Sequence, residues 1–470
     1  MTMRRLVVIA GVALIVVAQA APPGPSPSSP GLPGTVYRDH VVVHVKPAVD
    51  AKAVTTLQRS SPVTVDVQDG LWFQLHTADS KAGFVRINEV RLTQTKRAGG
   101  ADNMQVLMRG SAGHGNVSET AGVRGLDESS LKSAAFDANA LAAMDANRVD
   151  ASAGSRYARS KRLAATQFPY PDESKGAQKS GMQGQQSQQQ QSQSAAEMPP
   201  EVASRNPFAN MGNALKGMRN SGVPMSDMMS AALSPEEAQD ELALGPQIAG
   251  RVLGGSPLWN NQMAQQRVNV IGRWVASQTL RPDYPWTFAV IDMPEYNAFA
   301  APGGYVFVTR GLYEVLQSDD EVAAVLAHEM SHVVQRDHYN VVRKQRQTKM
   351  LTDMGTSMVV SHVGGSGAGG MLSKAAAQYV AKFGASLILT HFDKSVEYRS
   401  DEAAEVYLVR AGYNPLAIYA VLQKLAGVSP VSSRLSTLSK THPSATDRLD
   451  SLDKRNMTAM QSYTSRRYVN

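Results

Sequence analysis

Short stretches of alternating apolar and polar residues run from His40 to Val45, Val63 to Val67, Leu71 to Leu75 and Gly83 to Ile87, with breaks at Pro47, Ser61-Pro62 and Asp69-Gly70. Alternation at this spacing predicts strands of a small all-β barrel over residues 36–95. The period then lengthens. Leu131, Ala135, Ala138, Leu141 and Met144 fall at helical intervals, so residues 122–165 are expected to be a helical segment. Its basic end, Arg156, Arg159, Lys161 and Arg162, reads as a solvated face. Over residues 166–233 the pattern disappears. Eight of the eleven positions from Gln183 to Gln193 are glutamine, and Pro, Gly, Ser and Met fill much of the rest. Such a stretch cannot bury enough apolar surface to offset the entropy of ordering, and a disordered linker is expected.

Order returns in residues 234–457. Ser234-Pro235-Glu236-Glu237 reads as a helix start, and one long helical pattern continues through Ile248, Val252, Val268, Ile271 and Val275. Two strands follow, Trp286 to Ile291 and Gly304 to Thr309, the second expected at a sheet edge open to an extended ligand. The remainder is helical. The predicted fold class is α+β, a mainly helical unit with a short sheet plus the N-terminal barrel.

Composition narrows the chemistry. The 470 residues include no cysteine, which removes disulfides, thiol nucleophiles and zinc–thiolate sites together. Any metal would be held by His, Asp or Glu. A net charge of +7 is small for this length and gives no case for nucleic-acid binding. Arg4 and Arg5 precede an apolar run from Leu6 to Ala18, and Ala18-Gln19-Ala20 has the small-x-small pattern of a cleavage site. Residues 1–20 are therefore expected to be a secretory signal, and the protein to be periplasmic or extracellular with no integral span after cleavage.

Asp69-Gly70-Leu71-Trp72-Phe73-Gln74-Leu75, followed by Lys81-Ala82-Gly83-Phe84-Val85, resembles the bacterial Src-homology-3-like domain. That resemblance implies a module that binds cell wall or an envelope protein; packing against the rest of the chain is the alternative.

The sharpest signal is Ala327-His328-Glu329-Met330-Ser331-His332. Ser318-Asp319-Asp320-Glu321 is a capping box that starts a helix, and Val322, Val325, Leu326 and Val333 supply its buried stripe. On that helix His328 and His332 are four residues apart and project from one face, a spacing that suits two imidazoles on one zinc ion. Glu329 lies just off that line, where it can serve as general base without ligating. A random chain of this length would contain the motif roughly once in a hundred. A catalytic zinc needs a third protein ligand and an open position. Glu397 and Asp401, again four apart on a predicted helix, are candidates for the third ligand and for the group that orients a ligand histidine.

These residues belong to a larger pattern. Asn297 to Gly304, Val308-Thr309-Arg310-Gly311-Leu312, Glu321 to His332, Glu397 to Asp401, Ala411 to Pro415 and His442-Pro443 together resemble the zinc metallopeptidase family of the CAAX-prenyl endopeptidases and HtpX, in its soluble exported branch. The resemblance implies a gluzincin-type zincin fold, one zinc ion per subunit on His328, His332 and Glu397, and Glu329 as the catalytic carboxylate. It further implies hydrolysis of unfolded or misfolded envelope polypeptides. Ser400 stands where the family usually has alanine. His442 is a candidate auxiliary catalytic residue or metal cap, and Arg448 a candidate partner for an acid of the site. A wall-binding or chaperone-like protein with a structural metal is the competing reading. Gly365 to Gly370 matches a dinucleotide-binding glycine pattern but lacks its βαβ setting and is expected to be a loop. His338 and His391 are expected to be structural, and His40 and His44 to be neighbours on one strand face.

Overall fold

The computed structural model describes residues 31–93, 133–170, 235–344, 389–428, 432, 435, 437–454 and 457–469. The expected signal segment, Gly365 to Gly370 and linker residues 171–233 lie outside the described residues.

The N-terminal part is a seven-stranded antiparallel sheet. Its strands are β1 (Leu32–Val36), β2 (Val41–His44), β3 (Ala53–Leu57), β4 (Pro62–Asp69), β5 (Trp72–Thr77), β6 (Ala82–Arg86) and β7 (Val90–Leu92). Their order, β3-β2-β6-β5-β4-β1-β7, leaves β3 and β7 at opposite ends, so no closed barrel forms among the described strands. Alternation places Val63, Val65, Phe73, Leu75 and Val85 in the core. Three strands escaped the sequence pattern: β1, β3 and β7. β1 lies before the predicted boundary at residue 36, in a proline-rich stretch that reads as a leader. Pro33 is accommodated because only its carbonyl is used on the β7 side, where it accepts from the Thr93 amide at 2.8 Å. His40 falls outside β2, in a turn with φ of 56°.

The predicted helical segment is two helices, α1 (Ala138–Ala146) and α2 (Ala151–Ser160). Asp137 and Asp150 cap their N-termini through Ala140 N and Ala153 N, and the second cap marks the break. Residues 166–170, which composition assigns to the linker, are packed. Thr166 N donates to Arg410 O and Tyr170 is buried.

The helical unit adds α3 (Pro235–Gly255), α4 (Gln262–Ala276), β8 (Thr287–Ile291), β9 (Ala298–Ala301), β10 (Tyr305–Thr309), α5 (Arg310–Val315), α6 (Asp319–Val334), α7 (Lys394–Ala411), α8 (Ala417–Gly427), α9 (Leu438–Thr441) and α10 (Ala445–Lys454). The single long helix expected before the strands is split into α3 and α4 at Gly254-Gly255-Ser256-Pro257, where two glycines and a proline end the first helix. The short sheet runs β8-β10-β9, with β10 parallel to β8 and antiparallel to β9. β10 is thus the central strand rather than an edge, and β8 and β9 take the outer positions. Every residue of β8, β9 and β10 is buried, since helices cover both faces. Val290, Ala300, Val306 and Val308 join the core with α4 and α6, whereas Ile291, Ala301, Tyr305 and Phe307 join that with α3. α7 ends at Gly412, whose φ of +85° is the left-handed cap that favours glycine. The N-terminal sheet and the helical unit fall in one compact unit.

Candidate metal centre

Helix α6 begins as its sequence dictates. Ser318 Oγ accepts from Glu321 N, while the Glu321 carboxylate reaches back to Gln317 N at 2.7 Å. The helix carries fifteen buried residues, so His328, Glu329 and His332 sit in protein rather than in water. α7 crosses α6 and brings Glu397 opposite the two histidines. His442 arrives from the segment between α9 and α10.

Four ligand atoms, one each from His328, His332, Glu397 and His442, lie within 4.8 Å of one another. His328 Nε2 is 3.5 Å from Glu397 Oε2, His332 Nε2 is 3.7 Å from Glu397 Oε1, and His442 Nε2 is 3.7 Å from Glu397 Oε2. Ligands arranged tetrahedrally about 2.0–2.1 Å from zinc stand roughly 3.3 Å apart, so these spacings suit one ion. Two further observations fit a cation. Glu397 is fully buried, yet neither of its carboxylate oxygens has a hydrogen-bond partner. His328 Nε2 and His332 Nε2 face each other at 3.3 Å while the other nitrogen of each ring is engaged by an aspartate. Two imine lone pairs at that distance require a proton or a metal between them.

The outer contacts repeat. His328 Nδ1 lies 2.9 Å from Asp401 Oδ1, and Arg448 grips Asp401 with two bonds, Nε–Oδ2 at 3.0 Å and Nη2–Oδ1 at 2.6 Å. His332 Nδ1 lies 2.9 Å from Asp337 Oδ2, and Arg399 Nη2 donates to Asp337 Oδ1 at 2.9 Å. Each histidine is therefore oriented by an aspartate and each aspartate is held by an arginine from another element, an arrangement that fixes the ring with Nε2 inward. Ser400 Oγ adds a contact to His332 Nδ1 at 3.3 Å, and Phe392 stacks on the His332 ring with centroids 5.1 Å apart. His442 Nδ1 is 2.8 Å from Thr441 Oγ1.

Charge follows from this crowding. Burial pushes the Glu397 carboxyl up, but the His442, His328 and His332 imidazoles outweigh it and hold the group well below the usual range. Asp401 is likewise held low, with Arg448 and His328 overriding burial. Burial and the Arg448 cation oppose a proton on His328, yet Asp401 and Glu397 prevail and lift the ring to about 9. Burial drives His442 down to about 3, leaving it neutral. Glu329 is raised, chiefly by burial, against the pull of His328 and His332.

Of the residues expected from sequence, His328, His332, Glu397 and His442 converge, Asp401 and Arg448 stand directly behind His328, and Glu329 Oε1 lies 4.0 Å from His442 Nε2. His338 is buried against Phe392, with ring centroids 4.8 Å apart, and His391 Nδ1 contacts Lys440 O; neither reaches the cluster. His44 packs edge-on against Trp72. Lys161 of the basic run pairs with the buried Asp319 instead of facing solvent alone. Sequence reading missed Asp337 and Phe392. Asp337 follows Arg336, whose φ of 58° turns the chain back under the helix, and an acid just past the end of a ligand helix was the available signal.

Residues 262–456 match the family model described as peptidase family M48. The chain is 28% identical over 248 residues to the beta-barrel assembly-enhancing protease of Escherichia coli (strain K12), covering 53% of this chain and 50% of that protein. It is 28% identical over 164 residues to the metalloprotease LoiP of the same organism, 35% of this chain and 60% of LoiP. With the mitochondrial metalloendopeptidase OMA1 of Schizosaccharomyces pombe it shares 25% identity over 172 residues, 37% of this chain and 47% of the relative. The chain spans about half the length of the curated relatives it matches. Among the described residues no helix is long and apolar enough to cross a membrane. The matched region contains all four converging residues, and these likenesses support a metalloprotease of the M48 kind for the helical unit.

Proposed function

We propose that the protein is an exported zinc endopeptidase that cuts unfolded or misfolded envelope polypeptides. The observation that carries this reading is the fully buried Glu397 carboxylate, with both oxygens unpartnered and three imidazoles around it, one of which, His442, has its Nε2 4.0 Å from Glu329 Oε1. His328, His332 and Glu397 would hold one zinc ion per subunit. Bound there, zinc supplies a Lewis acid and a water of lowered pKa. Glu329 takes a proton from the attacking water and returns it to the leaving amine, and its raised pKa brings that exchange nearer neutrality. Asp401 acts through His328 as an orienting group.

Beside His328 and Glu329 lies a cavity of about 40 Å³ lined by Leu312, Val325, Ile418, Val421, Leu425 and Leu438 among others. It suits a small aliphatic side chain of the substrate. Ala298, the first residue of β9, borders the same cavity. On this reading an extended substrate runs along β9, the outer strand beside the cavity, and not along β10. Main-chain pairing of that kind requires an unfolded or looped segment. Export rests on the N-terminal signal pattern, and an envelope substrate on the name of the beta-barrel assembly-enhancing relative. The N-terminal sheet is the candidate contact for a wall or envelope partner.

Glu329→Gln should lower hydrolysis of an unfolded casein substrate by about 10²–10⁴-fold while leaving bound zinc in place. Equal cleavage by both forms would end the enzyme reading. His442 carries a second reading, because its Nε2 lies within ligand reach of the same centre and would close the position that catalysis needs. If the closed site is purely structural, His442→Ala loses metal and stability; for an enzyme it changes the rate.

A further inference from the structure

The metal centre is backed by two helices, α8 and α10, and both are held from behind by the N-terminal sheet. On α8, Gln423 Nε2 donates to Ile87 O and Val90 O at the end of the sheet, at 3.2 and 2.6 Å, while Val421, Leu422 and Leu425 face the cavity beside His328 and Glu329. On α10 the two sides are occupied by charge. Arg448 holds Asp401, which holds His328. Five residues later Asp453, whose side chain is nearly fully buried, is gripped by Arg38 of the β1–β2 connection, Nη2–Oδ1 at 3.0 Å, and by Arg91 of β7, which lies in close contact with Oδ2. Tyr419 of α8 donates to the same Oδ1 at 3.3 Å. Arg91 is itself fixed between rings, 4.5 Å from the Tyr37 centroid and 5.7 Å from that of Tyr419. Five helical residues correspond to about 140° of rotation and about 7.5 Å of rise, so α10 is clamped on nearly opposite sides.

Resting on the zinc reading above, we propose that Asp453 is a positioning residue for the metal centre: anchored by Arg38 and by Arg91 of the sheet, it sets the place of α10 and so the point at which Arg448 holds Asp401 against His328. The sheet is then a working part of the metal unit and not a detachable binding module. Asp453 touches neither ligand nor substrate. It acts through a chain of paired charges in which Arg448, Asp401 and His328 are buried and each partner lies on a different element. A displacement of α10 moves the Arg448 fork, and a bidentate fork transmits small shifts to the carboxylate it grips.

The test uses the full chain loaded with Co²⁺, whose visible absorption reports ligand geometry without any turnover. Asp453→Asn keeps the side-chain size and removes the charge. It should shift the cobalt bands and weaken Co²⁺ affinity about tenfold, at the low end of the 10–100-fold cost of losing a group directly bonded to a ligand. On unfolded casein kcat should fall with KM little changed. Asp453→Glu should restore most of the spectrum. If Asp453→Asn does not fold, Arg38→Gln removes one of the grips from a side chain that is 39% exposed and should give the same changes at about threefold. A lowered melting temperature with wild-type cobalt spectrum and affinity would make Asp453 merely structural and overturn the proposal. A wild-type chain that takes up no cobalt would instead remove the zinc reading, and this proposal with it.

Discussion

Helix α6 carries one buried carboxylate at its first turn and meets another near its far end, and the two are treated in opposite ways. Glu321 and Glu397 are both fully buried. Glu321 is saturated: Lys424 Nζ donates to its oxygens at 2.8 and 2.6 Å, Tyr468 OH at 2.7 Å, Gln68 Nε2 at 3.2 Å and Gln317 N at 2.7 Å. Glu397 has no hydrogen-bond donor on either oxygen. A buried charge that has its cation and donors is a structural junction, whereas one ringed by imidazoles with neither oxygen hydrogen-bonded is a site for a cation from outside. The same helix thus separates what holds the fold from what holds the ligand.

That contrast breaks most sharply at Lys424. Lys424→Met should cost about 3–5 kcal/mol of stability, read as a lower urea midpoint, because it leaves the Glu321 carboxylate buried without its cation. Metal content per folded molecule should stay unchanged. Glu397→Gln should do the reverse: metal affinity falls by about 10²–10³-fold, roughly a quarter of the 10–16 kcal/mol typical of such centres, with the stability of the metal-free chain lowered far less than by Lys424→Met. Competition with a chromophoric chelator measures the first and denaturant titration the second. Comparable stability losses in both variants would erase the distinction. Asp337→Asn and Asp401→Asn should each weaken zinc binding by 10–100-fold; similar losses would show that the paired His–Asp–Arg chains are equivalent, as their geometry implies.

A smaller effect concerns pH. In the metal-free protein His328 carries a proton up to about pH 9, so zinc must displace it, while His442, held down to about 3, contributes none. Affinity should therefore rise about tenfold per pH unit between pH 6 and 8, with one proton released per ion in calorimetry across two buffers. The smallest change is expected at Val49, which is 58% exposed; Val49→Ser should stay within about 0.5 kcal/mol of the parent in stability.

The elements legible in the sequence are those written in short-range pattern. The capping box at Ser318, the four-residue spacings of His328 with His332 and of Glu397 with Asp401, and the glycine stop at Gly412 all lie within a turn or two of the features they specify. What escaped depends on distant partners. β9 has only four residues, and its outer position is set by pairing with β10. β7 is a three-residue strand held in place by β1, more than fifty residues earlier. Asp337 joins the centre only because Arg336 adopts a left-handed turn and Arg399 arrives from α7. Barrel closure was an expectation from alternation, which specifies faces and says nothing of which strands end the sheet.

Helix α8 also bears on any attempt to re-engineer the protein. Gln423 and Lys424 are committed to the sheet and to Glu321, while Val421, Leu422 and Leu425 shape the cavity beside the candidate base. Enlarging that cavity by moving the helix would pull on a buried ion pair. Altered selectivity must then come from trimming side chains on a fixed backbone, and a transplant of the metal unit into another protein has to carry residues 31–93 along with it.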